Sequence, residues 1–270
     1  MAKAAAGGSD AGGGMSLNGQ LLDFAEARNG AGRVPFTPKY LPEFGVVEQV
    51  LQKLNSTLRF QVLLEATLKY SMKNWYFRSS PFPADALNQE NIHILTDAKT
   101  RTVIAVQDAS SITIFKPGYD EMGKRATGQL EQAGLLVHES VMAIAMKYGF
   151  DHNSVREVVR ILFSEELGGH MPENLSDILQ RAGYLRPMDP ALGHPFWTIL
   201  SAYYKVMFDH ESREKADARI QAFVNSDWTC NIEKYCATGV VLNLDGTLKT
   251  DMNQAVETLK KELIKNFVFL

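Results

Sequence analysis

The stretch from residue 135 to residue 146 leaves this chain the fewest options. Leu135-Leu136-Val137 and Val141-Met142-Ala143-Ile144-Ala145-Met146 are interrupted by one strongly polar triplet, His138-Glu139-Ser140. The run reads as a core helix that carries two ionisable side chains inside. Burying an acid is expensive unless it is paired or hydrogen-bonded, so Glu139 needs either a structural partner or a functional site. On a helix, His138 shares its face with Leu135, Val141, Met142 and Ala145, while Glu139 points roughly a quarter-turn away.

Two readings of the pair follow. In the structural one, His138 and Glu139 make buried hydrogen bonds to backbone or to an arginine such as Arg156 or Arg160, fixing how helices dock. In the catalytic one, His138 is a metal ligand and Glu139 a general base. The HExxH zinc motif places a second histidine four residues after the first, and here that position is Met142. A thioether is a poor zinc donor, so the standard site is excluded. A non-standard zinc site would have to draw on His152, His170, His194 or an acid such as Glu26.

Other candidates read as ordinary structure. Asp108-Ala109-Ser110-Ser111 is turn material, and Ser140 is a packed hydroxyl without a nucleophile's surroundings. His93 in a strand and His210 have no partner motif, and the glycines near the start lack the strand and helix of a phosphate loop.

With 45% hydrophobic and 22% charged residues, the 270-residue chain can bury a sizeable core. A net charge of −3 and the lack of any long Lys/Arg block argue against nucleic acid or an anionic membrane as partner. The apolar runs fall short of the roughly 18 residues a membrane span needs, and no signal peptide is expected at the start as written. Residues 1–14 are nearly all Ala, Gly and Ser, the composition of a flexible tail. Cys230 and Cys236 are the only cysteines. They are read equally as a disulfide in an oxidising compartment or as two free thiols, because C-x5-C is not a metal spacing.

Periodicity predicts a short amphipathic helix over 17–28, a Pro-rich connector at 34–38 and a helix over 44–54. Residues 58–72 form a further segment, helix or strand at its start. Ile92-His93-Ile94-Leu95, Thr102-Val103-Ile104-Ala105-Val106 and Ile112-Thr113-Ile114-Phe115 are β-branched runs separated by turns, which predicts a three-stranded antiparallel meander. The apolar helix follows, stopped by Gly149. A capping box at Ser154-Val155-Arg156-Glu157 starts the next helix, with Val155, Val158, Val159, Leu162 and Phe163 as its core face. Helices are expected over 175–182, 195–208, 211–224 and 251–266, with a hairpin at 240–246. The aromatic stripe of Phe196, Trp197, Tyr203, Tyr204 and Phe208 reads as core.

Gly12-Gly13-Gly14, Leu21-Leu22-Asp23-Phe24-Ala25-Glu26-Ala27, Gln132-Ala133-Gly134-Leu135-Leu136-Val137-His138-Glu139 and Asn153-Ser154-Val155-Arg156 occur in that order around the β-rich region. Over about residues 12–167 this resembles a family of exported proteins of unassigned function from predatory and related Gram-negative bacteria. Members of that family begin with a signal peptide and often carry a Gly-Gly-Asp element followed by a cysteine, which this chain lacks. The resemblance implies a periplasmic or secreted location and a paired His-Glu on the central helix, here His138 and Glu139.

The expected fold is α+β, mostly helical with a small central antiparallel meander. It comprises a tail (1–15), an α+β domain with the His-Glu helix (16–167) and a mainly helical extension (168–270). The expected function is that of an exported, non-enzymatic envelope or interaction protein with a protein or envelope partner. The alternative is a metal-dependent hydrolase of peptide or cell-wall material using His138 and Glu139, with zinc as its cofactor.

Overall fold

The computed structural model describes residues 16–17, 20–21, 33–54, 57–82, 93–97, 99–148, 153–170, 175–182, 194–225, 239–243 and 246–266. The expected tail, the Gly149 stop and both cysteines lie outside these residues. The chain is a mostly helical α+β protein. Its contacts group the described residues into two compact units, those within 1–36 and 74–124 and those within 37–73 and 125–270.

The first unit is built on a five-stranded sheet. Strands β3 (Val34–Phe36), β4 (Asn74–Arg78), β5 (His93–Thr96), β6 (Val103–Gln107) and β7 (Ser111–Phe115) lie in the order β3-β4-β7-β6-β5. The predicted meander is β5-β6-β7, antiparallel throughout. The sheet as a whole is mixed, because β4 runs parallel to β7 with Trp75 opposite Ile112 and Phe77 opposite Ile114. That corrects the purely antiparallel expectation. A strand over 74–78 was not foreseen, although Trp75-Tyr76-Phe77 is strand-favouring material.

The Pro-rich connector proves to be the edge strand β3, where Pro35 sits opposite Tyr76. An edge strand tolerates proline because one of its hydrogen-bonding sides has no neighbour to supply. Phe36 stacks on Phe77 at 3.9 Å between centroids and meets Trp75 edge-on at 5.7 Å. On the other side of the sheet Arg33 lies over the Tyr76 ring at 4.3 Å and donates to the Thr113 hydroxyl. Helix α1 (Lys116–Gly123) leaves β7 directly, with Pro117 in the first turn where no N–H is needed. Gly118 packs closely there, since a Cβ would meet Ile104 Cδ1 and the Phe115 ring and the Ile104 side chain would have to shift. Further up the chain, Ser16–Leu17 (β1) pairs antiparallel with Gln20–Leu21 (β2) where a helix was expected.

The second unit is helical. Helices α2 (Phe44–Gln52) and α3 (Leu58–Leu68) precede α4 (Gly128–Tyr148), the predicted apolar helix, which packs against both and against α5 (Asn153–Leu162). Helices α6 (Leu175–Arg181), α7 (His194–Phe208), α8 (Arg213–Asn225) and α9 (Met252–Asn266) complete it. Helix α4 is apolar nearly all round, as a helix with neighbours on several sides must be. Val137, Val141 and Ala145 are fully buried. The aromatic stripe of α7 is core, with Phe196, Trp197, Tyr203 and Tyr204 buried. The expected hairpin is reduced to one bridge between Leu242 and Leu248, because residues 239–241 are helical.

Where α3, α7 and α9 meet, a buried polar network replaces apolar packing. Lys260 reaches both Glu65 oxygens at 3.1 and 3.0 Å, and its ammonium lies 5.1 Å from the centre of the Tyr204 ring. The Tyr70 hydroxyl donates to Glu257 Oε2 at 2.7 Å. Burial pushes the Glu257 carboxyl up, but Lys260 and the Tyr70 hydrogen bond outweigh this and hold it below the ordinary range. Burial and the nearby Glu257 push the Tyr70 hydroxyl well above its usual value, so it serves as a permanent donor.

Candidate functional site

Helices α4 and α5 line an open cavity of about 420 Å³, within the size range of small-molecule sites. From α4 come Leu130, Glu131, Gly134 and His138, with Thr127 just before the helix. Their spacing of three and four residues places them on one face. From the α5 side come Arg156, Val159 and Arg160, again at helical spacing, then Phe163 and Leu167 beyond the helix end. The exposed wall surface is mainly apolar, and Glu131, Arg156 and Arg160 are its charged members.

Gly134 is the informative lining residue. It lies in the second turn of a 21-residue helix, where glycine is less stable than alanine by about 0.5–1 kcal/mol. A Cβ at this position would meet nothing within 4 Å. Close packing therefore does not demand glycine, and its missing side chain widens the cavity instead.

The cavity's charges are uneven. Glu131 is neutralised locally, bound by Arg125 at 2.6 Å and by the Thr127 hydroxyl at 2.8 Å. Arg156 and Arg160 are both exposed, and among the described residues neither forms an ion pair with an acid. A second depression of about 400 Å³ shares Arg160 and Leu167 and adds Glu157 and His170.

The two residues that the sequence singled out keep their ligand atoms within 4.8 Å of one another but differ in what they face. His138 is 8% exposed and lines the cavity, whereas Glu139 is fully buried and is not part of that lining. Burial pushes the Glu139 carboxyl from 4.5 up to about 8, and the Lys73 ammonium pulls it back only in part. Beside the expected hydrogen bonds to backbone or to an arginine such as Arg156 or Arg160, the charge of Lys73 acts on Glu139. Ser140 donates to the Leu136 carbonyl at 2.9 Å, satisfying its hydroxyl within the helix.

The remaining candidates divide plainly. Asp108 accepts from the backbone N–H groups of Ser110 and Ser111, both at 2.7 Å, and from both hydroxyls, as a turn residue does. Burial raises its pKa, but these hydrogen bonds bring it below the usual range. His93 lies half-buried on β5, and His210 and His170 are exposed. Glu26, His152 and the His194 side chain lie outside the described residues.

Sequence reasoning missed the cavity itself. Its signals were a mid-helix glycine without a turn to make and two arginines four apart on the next helix. The chain matches no family model, no curated protein and no solved structure.

Proposed function

We propose that this chain is a non-enzymatic binding protein whose helical unit holds a small, largely apolar ligand between α4 and α5. The observation that carries this reading is Gly134, a glycine kept in a core helix at a cost in stability and facing open space. The space lies open to solvent beside the half-buried Gly134, so the missing side chain leaves apolar wall accessible to a ligand. The proposed setting is the cell envelope or the extracellular space. It rests on the sequence resemblance and is tested by fractionating the native host with an antibody to the chain.

The binding reading is tested with a neutral solvatochromic dye and two proteins, wild type and Gly134→Leu. Saturable, blue-shifted emission from wild type, lost in a variant whose urea midpoint is not lowered, is the expected result. Equal emission from both proteins, or none from either, overturns it.

A second reading is supported by one observation, the elevation of the Glu139 carboxyl toward neutrality beside His138, which suits a general base. In that reading His138 binds a metal and Glu139 activates water for hydrolysis. Elemental analysis of wild type beside His138→Ala separates the two. Stoichiometric zinc that disappears in the variant supports the hydrolase, and metal-free protein in both samples leaves the pair structural.

A further inference from the structure

The charge around the α4–α5 cavity specifies more than an apolar ligand. We propose that the ligand is a single-chain anionic amphiphile, an alkyl carboxylate or alkyl phosphate, whose oxyanion head is held by Arg156 and Arg160. This rests on the binding reading above and deepens it.

Arg156 and Arg160 are four apart on α5, so their side chains are neighbours on the helix surface, and like charges at this spacing weaken a helix. Surface helices relieve such a pair with an acid three or four residues away. Glu157 stands at the right spacing from Arg160, yet no ion pair joins them. The nearest acid of the cavity lining, Glu131, is already bound by Arg125 and Thr127. Two guanidinium groups thus border an apolar cavity with no described carboxylate paired to either.

Guanidinium matches the oxyanion of a carboxylate or phosphate with parallel N–H donors, and two of them can share one head group. The apolar part of the ligand has its complement in Leu130, Val159, Phe163 and the space left by Gly134. The ligand class is therefore one charged end joined to one aliphatic chain. A neutral apolar molecule would leave the arginines idle, and a cationic one would be repelled. Because both guanidinium groups are exposed, head-group recognition is screened by salt.

The test measures calorimetric binding of decanoate, decyl phosphate, decanol and decyltrimethylammonium, all below their micelle concentrations. The proteins are wild type, Arg156→Gln/Arg160→Gln and Gly134→Leu. Either anion binding wild type at least tenfold more tightly than decanol supports the inference, provided that the margin vanishes in the double arginine variant and narrows with added salt. Gly134→Leu should then abolish binding of anion and alcohol alike. Decanol binding as tightly as the anions, with no effect of the arginine changes, overturns the anionic head and leaves the apolar site standing. Binding of none of the four overturns the anionic ligand and the cavity reading together. Because both arginines are exposed, the double variant should keep the wild-type urea midpoint, so a loss of binding there reports recognition rather than unfolding.

Discussion

Replacing Lys260 with methionine tests the network at the junction of α3, α7 and α9. Lys260 and Glu65 have side chains only 5% and 2% exposed and stand 3.0 Å apart. Removing one partner of such a pair leaves an uncompensated buried charge, which costs about 3–5 kcal/mol. The ammonium's contact with the Tyr204 ring is lost as well. Lys69 remains 3.7 Å from Glu65 and offsets part of the penalty, placing the expected loss near the bottom of that range, about 3 kcal/mol. With a urea dependence of about 3 kcal/mol per molar, the unfolding midpoint should fall by about 1 M. Glu65→Gln/Lys260→Met removes both charges and should lose less than the sum of the two single changes, by at least about 1 kcal/mol. A midpoint within about 0.2 M of wild type for Lys260→Met, or strict additivity in the double variant, would refute the claim that the pair is buried and coupled.

Three further outcomes are expected. Glu139 has a folded pKa above its unfolded one, so the native state binds the extra proton between about 4.5 and 8 and stability declines as pH rises through that window. Glu139→Gln should therefore match wild type near pH 4 and exceed it by about 3 kcal/mol at pH 7 in urea titrations, and parallel pH profiles would count against a buried, destabilised carboxylate. Gly134→Ala should stabilise the protein by about 0.5–1 kcal/mol while narrowing the cavity, and a destabilised variant would mean that the position is already packed. Gly118→Ala should do the opposite, costing about 1 kcal/mol as Ile104 is displaced from its rotamer, and a raised thermal midpoint would refute that crowding.

The two glycines show how far sequence carries. Gly118 and Gly134 look alike in the chain, yet a Cβ at one would displace Ile104 and the other faces open space. Only the surrounding helices and strands distinguish them. The same holds for His138 and Glu139. Their neighbourhood in the sequence identified a core helix with an electrostatic problem, and the quarter-turn between them was legible. That one residue lines a cavity while the other answers to Lys73 depends on which helices cover each face.

What the sequence determined by itself was local pattern. The apolar run of the 128–148 helix, the helical repeat over 252–266 and the β-branched runs of the 93–115 meander are each complete within their own segment. Tertiary structure decided what local pattern does not encode. Pro35 became an edge-strand residue because β4 lay beside it, and β4 itself paired parallel to β7, a match between segments separated by the intervening strands. Lys260 found Glu65 across 195 positions of chain. The cavity exists because faces of α4 and α5, each amounting to a few residues at helical spacing, were brought opposite one another. Backbone preference acts over a turn or a strand, whereas the partners of a buried charge and the walls of a cavity are fixed by the way whole elements pack.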